Sequence, residues 1–284
     1  MALDSMKEIF DRMEQEGKPF WEIVLETDMD ERQVTRNQSM AKMLITWQAM
    51  ADAADSYTGR RKSVSGLVGG DGMKMRQYCL RGEAMSGGYV SEVIAEALSM
   101  AESNACMCRI VAAPTAGACG VLPAVLYYFK DKRNLSDLDI AHALGVAGLF
   151  GELAKRNASV SGAECGCQAE VGVACSMAAA AACQAFGYNI HQIEYAAEVS
   201  LEHHLGLTCD PICGLVQVPC IERNAVAAMR AINSANIAYF LTGTRNISYD
   251  MVLKSMYYTG LDMNQRYRET AEGGLARIYT RRGK

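Results

Sequence analysis

Between Glu170 and Glu194 the chain carries no Asp, Glu, Lys or Arg, and the run 171–186 is dominated by alanine. A segment that long without charge has to be covered on all sides, by protein or by lipid. Alanine gains little from transfer to lipid, Cys175, Ser176, Cys183 and Gln184 gain less, and Gly187-Tyr188-Asn189 breaks the run. The segment therefore predicts a helix buried inside a protein core rather than a membrane span. Its small side chains would let neighbouring helices or a cofactor approach closely. Covering it takes a sizeable domain, and 284 residues, half of them apolar, suffice for a single one over 1–284. A net charge of −4 gives no electrostatic reason to expect nucleic acid or an anionic membrane as partner, so the expected substrate is small.

The rest of the chain is also helical in period. From 31 to 57 there is neither Gly nor Pro, and Val34, Met40, Met43, Leu44, Trp47 and Met50 share one side of a 3.6-residue repeat. This predicts one continuous helix. Similar stretches cover 89–103, 121–131, 136–155, 170–187, 191–205, 221–242 and 249–260. Ser136 with Asp139 and Ser248 with Asp250 suit helix starts. Alternating strands are absent, the best candidate being 109–113. The predicted fold class is all-α, a helical domain with its helices tied by glycine-rich loops.

Two of those loops stand out. The segment 59–72 holds Gly59, Gly66, Gly69, Gly70 and Gly72, and 112–120 runs through Pro114, Thr115 and Gly117 straight into a helix. Neither has the Gly-Lys-Ser/Thr ending of a P-loop or the preceding strand of a dinucleotide fingerprint. They are either connecting turns or backbone N–H cradles for a small carboxylate.

The eleven cysteines are an odd number, and the charged N-terminus lacks the apolar core of a secretory signal. A reducing, cytoplasmic setting is the expectation, with thiols that are core residues or ligands of a soft metal. Cys165, Cys167, Cys209, Cys213 and Cys220 lie in loops beside Gly and Pro, where thiols are free to converge. Cys106, Cys108, Cys175 and Cys183 lie in or beside helical patterns, which favours the core. Zinc usually shows tight cysteine pairs twice over, and only Cys209-x3-Cys213 qualifies. An iron–sulfur cluster tolerates scattered ligands. Spacing alone does not choose among the five loop cysteines.

The segments GAECGCQAEVG at 162–172 and CDPICGLVQVPCIERNA at 209–225 resemble the iron–sulfur L-serine dehydratase family, as do GLVGGDG at 66–72, APTAG at 113–117 and YRETAEGGLA at 267–276. The matches follow the family's order over essentially the whole chain and fall in its catalytic α part. The resemblance implies an L-serine ammonia-lyase that yields pyruvate and ammonia. It implies a 4Fe-4S cluster on Cys167, Cys209 and Cys220, one iron being left open as a Lewis acid, with Cys165 and Cys213 nearby but not ligating. It also lifts Ser65, Gly66, Gly69, Gly70, Asp71, Asn104, Thr115 and Gly117 into candidates for holding the substrate.

The general base is not evident. His142 and His191 sit in or at the start of helical patterns, which suits core or capping roles, and His203-His204 precede Cys209 closely enough to orient substrate or bond a sulfur. No lysine stands beside a glycine-rich phosphate cup, so pyridoxal phosphate is not expected. In the family a β part bearing a Ser/His segment contributes to the site, and no such segment occurs here. A separate β subunit, and so a hetero-oligomer, is the expectation. Some single-chain relatives end in a cysteine that reaches back to the site, whereas this chain ends Thr280-Arg281-Arg282-Gly283-Lys284. Cysteine desulfhydration on the same chemistry, or a non-catalytic iron or redox sensor on the same fold, are the alternatives.

Overall fold

The computed structural model describes residues 3–241 and 246–281. In chain order its helices are α1 (Met6–Glu16), α2 (Phe20–Arg32), α3 (Arg36–Asp55), α4 (Asp71–Leu80), α5 (Gly87–Ala105), α6 (Val121–Arg133), α7 (Asp137–Asn157), the short α8 (Gly162–Cys165), α9 (Val173–Ala185), α10 (Ile190–Glu202), α11 (Cys220–Leu241), α12 (Tyr249–Asp262) and α13 (Gly274–Arg281). Among the described residues there is no β-sheet. The one strand-like pairing is an isolated parallel bridge between Cys209 and Arg268. None of the described helices is long and apolar enough to cross a membrane.

The charge-free segment is the axis of the molecule. Every residue from Val173 to Cys183 in α9 is buried, and α6, α7, α10 and α11 pack around it. Alanine makes this possible, because only methyl groups separate the backbones. Where a longer side chain does occur its neighbour gives way: Met177 lies against Gly151 of α7, where an added Cβ would sit 3.0 Å from its sulfur. Below α9 the chain forms a wider π-helical turn, Gln168–Gly172. Such turns re-aim side chains and recur at functional sites. The fully buried Gln168 amide fixes this one, donating to the Met256 carbonyl (3.0 Å) and accepting from the Gly206 N–H (2.9 Å).

Several boundaries differ from the periodicity. The expected helix 31–57 is two: α2 ends at Arg32, Gln33 turns left-handed, and α3 begins in a capping box between Thr35 and Gln38. The Thr-x-x-Gln signal lies inside an apolar repeat that continues across it, and Leu44, placed on the buried face, is 37 % exposed. The segment 109–113 is not a strand. Gly72 belongs to α4, which starts from Gly70 in a left-handed conformation. Both expected helix starts are present, Ser136 and Ser248 each accepting a bond from the N–H three residues on. Thr242, the expected end of α11, and 282–284 of the C-terminus lie outside the described residues.

Candidate functional site

Cys167, Cys209 and Cys220 come from three separate places in the chain. Cys167 immediately precedes the π turn, Cys209 is in the loop after α10, and Cys220 is the first residue of α11. All three are buried. The Cys209 thiol donates toward Cys167, which with the Arg223 guanidinium pulls Cys167 below the usual thiol range. The same contact pushes Cys209 well up. Burial raises Cys220 to about 12, and negative charge at Cys167 and Glu170 adds to it.

Arg223 anchors this group. It donates to the Thr208 carbonyl (2.8 Å) and to Asp210 (3.0 Å), and Asp210 in turn accepts the Leu275 N–H (2.7 Å) at the start of α13. The 265–275 segment is drawn over the site, since the Cys209 N–H donates to the Tyr267 carbonyl and the Glu269 N–H donates to the Cys209 carbonyl (both 2.8 Å). Glu269 and Ala271 adopt left-handed φ there, a conformation that persists only where surrounding contacts impose it.

Beside the thiols stands Glu170, on the π turn. Its Oε2 lies 3.9 Å from the Cys209 sulfur, and burial, reinforced by the charge of Glu269, raises its carboxyl above the usual range. Gly162 makes the approach possible: a Cβ there would meet Glu170 Oε2 at 2.7 Å and Cys209 Sγ at 2.9 Å. The Thr115–Gly117 loop faces the same carboxylate, Gly117 being within 3.8 Å of Glu170 Oε1 at its Cβ position. The Thr115 hydroxyl lies toward Glu170 and helps hold it charged, yet it is buried without a partner at good hydrogen-bond geometry. Asn224 and Asn104 brace this loop. Asn224 donates to the Gly117 carbonyl (2.7 Å) and accepts from the Gly120 N–H (2.8 Å), while Asn104 donates to the Ala116 carbonyl (3.1 Å).

The second glycine loop differs from its expected use. The N–H groups of Gly70 (2.9 Å), Asp71 (2.8 Å) and Gly72 (3.4 Å) already donate to the buried Glu102 carboxylate, and Asp71 pairs with Lys74. These amides form a carboxylate cradle, but its occupant is the chain's own side chain. The Gly69 carbonyl accepts from Lys62. Gly66 turns the loop with a φ of 73°. Ser65 points elsewhere and donates to Gln217 (2.6 Å), tying the loop to the segment that carries Cys213 and Cys220.

The histidines have structural partners. His203 and His204 each place Nδ1 on the carbonyl four residues back, at 2.8 Å and 2.7 Å, and burial lowers His204 to about 4. His142 stacks on Trp21 and His191 on Phe10. Cys165 faces away toward α12, packing on Gly260, and Cys213 is exposed. Cys175 and Cys183 are core residues, whereas Cys106 and Cys108 are half-exposed just past α5 rather than in the core. The motif reading passed over Glu170, Arg223, Asp210 and Asn224. The signal for Glu170 was its place as the last charge before the uncharged run.

Among the described residues no three His, Cys, Asp or Glu side chains converge as a single ion would need. Three buried thiols from separate stretches of the chain, beside the buried Thr115 hydroxyl, instead suit a larger thiophilic group.

The serine dehydratase alpha chain family matches residues 15–276. The chain belongs to that family. It is 45 % identical over 240 residues to L-serine dehydratase TdcG of Escherichia coli K12, covering 81 % of this chain and 52 % of the relative. It is 45 % identical over 242 residues to the L-serine dehydratase of Streptomyces coelicolor, covering 82 % and 52 %. L-serine dehydratase 2 of Escherichia coli K12 is 55 % identical over 181 residues, 63 % of this chain and 40 % of that protein. The chain thus spans about half the length of the relatives it matches. The all-α reading and the family resemblance both hold.

Proposed function

We propose that this chain is the catalytic part of an L-serine ammonia-lyase, with 1–284 as one domain and a 4Fe-4S cluster held by Cys167, Cys209 and Cys220. The observation that carries the reading is the meeting of those three buried thiols with Arg223, Glu170 and the Thr115–Gly117 loop. Bound there, such a cluster supplies a Lewis acid for the departing hydroxyl. Arg223 offsets the negative charge of the thiolates. The Thr115 hydroxyl and the Gly117 backbone, held by Asn104 and Asn224, orient the serine carboxylate. Glu170, its carboxyl raised above the usual range by burial, stands next to the reacting end. Loss of the Cα proton and of the β-hydroxyl, together one water, leaves aminoacrylate, which tautomerises and hydrolyses to pyruvate and ammonia.

The group that removes the Cα proton comes from a second chain. His203 and His204 are committed to their own helix, each with Nδ1 on the carbonyl four residues back. The β subunit supplies the remainder in a cytoplasmic hetero-oligomer and excludes water and oxygen from the site. The test is anaerobic pyruvate formation from L-serine without pyridoxal phosphate, by this chain with and without a β chain. Turnover by the pair and little by the single chain is expected. No turnover by the iron-loaded pair, or stoichiometric pyridoxal phosphate in active enzyme, contradicts the reading.

A further inference from the structure

At the far end of α9 from the thiols lies a second concavity, of about 350 Å3, within the range of small-molecule sites. α9 is 13 residues, about 20 Å, so the two places are separated by the length of the core. The walls are the rings of Tyr89, Tyr128, Phe129, Phe186 and Tyr188. They brace one another edge to face: Tyr89 on Tyr128 and Phe129 on Phe186, both with centroids 4.8 Å apart. The floor is apolar, from Ala182 of α9 with Ile232 and Ala235 of α11.

Two cations stand at this box. Lys132 lies 5.8 Å from the Tyr128 ring and is paired with Glu92 (3.5 Å) and Asp131 (3.3 Å). Arg133, the last residue of α6, lies 5.0 Å over the Phe186 ring and has no carboxylate partner among the described residues. Its charge reaches the hydroxyls of Tyr89, Tyr128 and Tyr188. A cationic ligand is disfavoured, because the ring faces already carry two cations. An apolar floor, fixed aromatic walls and one guanidinium without an anion fit the opposite chemistry.

We propose that this aromatic cavity is a binding site for a small monocarboxylate with an apolar or aromatic body, its carboxylate on Arg133 and its body against Phe186 and the Ala182 floor. The site is independent of the thiol group and of the reaction assigned to it.

The test is calorimetric titration of the full chain at pH 7 with 3-phenylpropanoate, against 3-phenylpropan-1-amine, which carries the opposite charge, and acetate, which lacks the body. Saturable one-site binding of 3-phenylpropanoate is expected, with both comparators at least about tenfold weaker. Arg133→Gln, at an exposed position, should weaken binding at least about tenfold with an unchanged melting temperature. Asn236→Trp, at the rim, should block it. Excess L-serine should leave the titration unaltered. Absence of saturable binding, equal binding of the amine, full affinity in Arg133→Gln or displacement by L-serine would each overturn the assignment.

Discussion

Glu102→Gln tests how the 66–72 loop is held. The carboxylate is 1 % exposed and accepts the N–H groups of Gly70, Asp71 and Gly72 together with the Tyr57 hydroxyl. Glutamine keeps the shape but turns one acceptor oxygen into a donor. If the amide oxygen stays on Gly70 and Tyr57, the Asp71 N–H faces an NH2 group. A charge-assisted bond is then lost, at about 1.5–3 kcal/mol. The N-terminus of α4 also loses a neighbouring anion, at about 0.3–2 kcal/mol. The sum, about 2–5 kcal/mol, is a large part of the 5–15 kcal/mol by which a protein is stable. Urea unfolding followed by far-ultraviolet circular dichroism should show it: with a slope of about 3 kcal/mol/M, the midpoint should fall by about 1 M. The exposed Glu83→Gln should leave the midpoint in place. A Glu102→Gln midpoint within about 0.2 M of the parent would refute the account of this loop.

Asn224→Leu leaves the Gly120 N–H and the Gly117 carbonyl without partners, and should cost about 2–4 kcal/mol, read as a lower melting temperature by calorimetry. Gly260→Ala places a methyl 2.6–2.7 Å from the sulfur, Cα and Cβ of Cys165, and an overpacking cost of about 1–3 kcal/mol or more is expected in urea titrations, partly relieved by Cys165→Ala. His204 protonates near 6.5 when unfolded but only near 4 when folded, because burial disfavours its charge. Its contribution is therefore complete above pH 6.5 and lost as pH falls toward 4, by up to about 3 kcal/mol, and His204→Gln should flatten stability across that window.

The core was legible because burial of an uncharged alanine helix leaves few alternatives, and α9 lies where the sequence places it. The break between α2 and α3 was hidden because Val34 and Met40 keep the apolar repeat running through a polar capping box. α4 was missed for a related reason: its start is glycine, which usually marks a loop, and its cap is Glu102, thirty-one residues away from Asp71 in the chain. The ligand set and the loops came from motif resemblance, since spacing left five cysteines open. Of those five, Cys213 is exposed, while Cys165 is buried like the other three but packs against Gly260 of α12. Arg223 and Asn224 were inside the quoted motifs but had no signal of their own, because their roles depend on partners such as Asp210 and Gly117 that only folding brings near.

The central claim is that Cys167, Cys209 and Cys220 together hold one iron–sulfur cluster. Iron and acid-labile sulfide per chain, measured after anaerobic purification of the parent and of single Cys→Ser variants, test it most directly. About four of each per chain is expected in the parent and in Cys213→Ser, with loss in Cys167→Ser, Cys209→Ser and Cys220→Ser. Retention of the full complement in any of those three variants, or its loss in Cys213→Ser, would contradict the account.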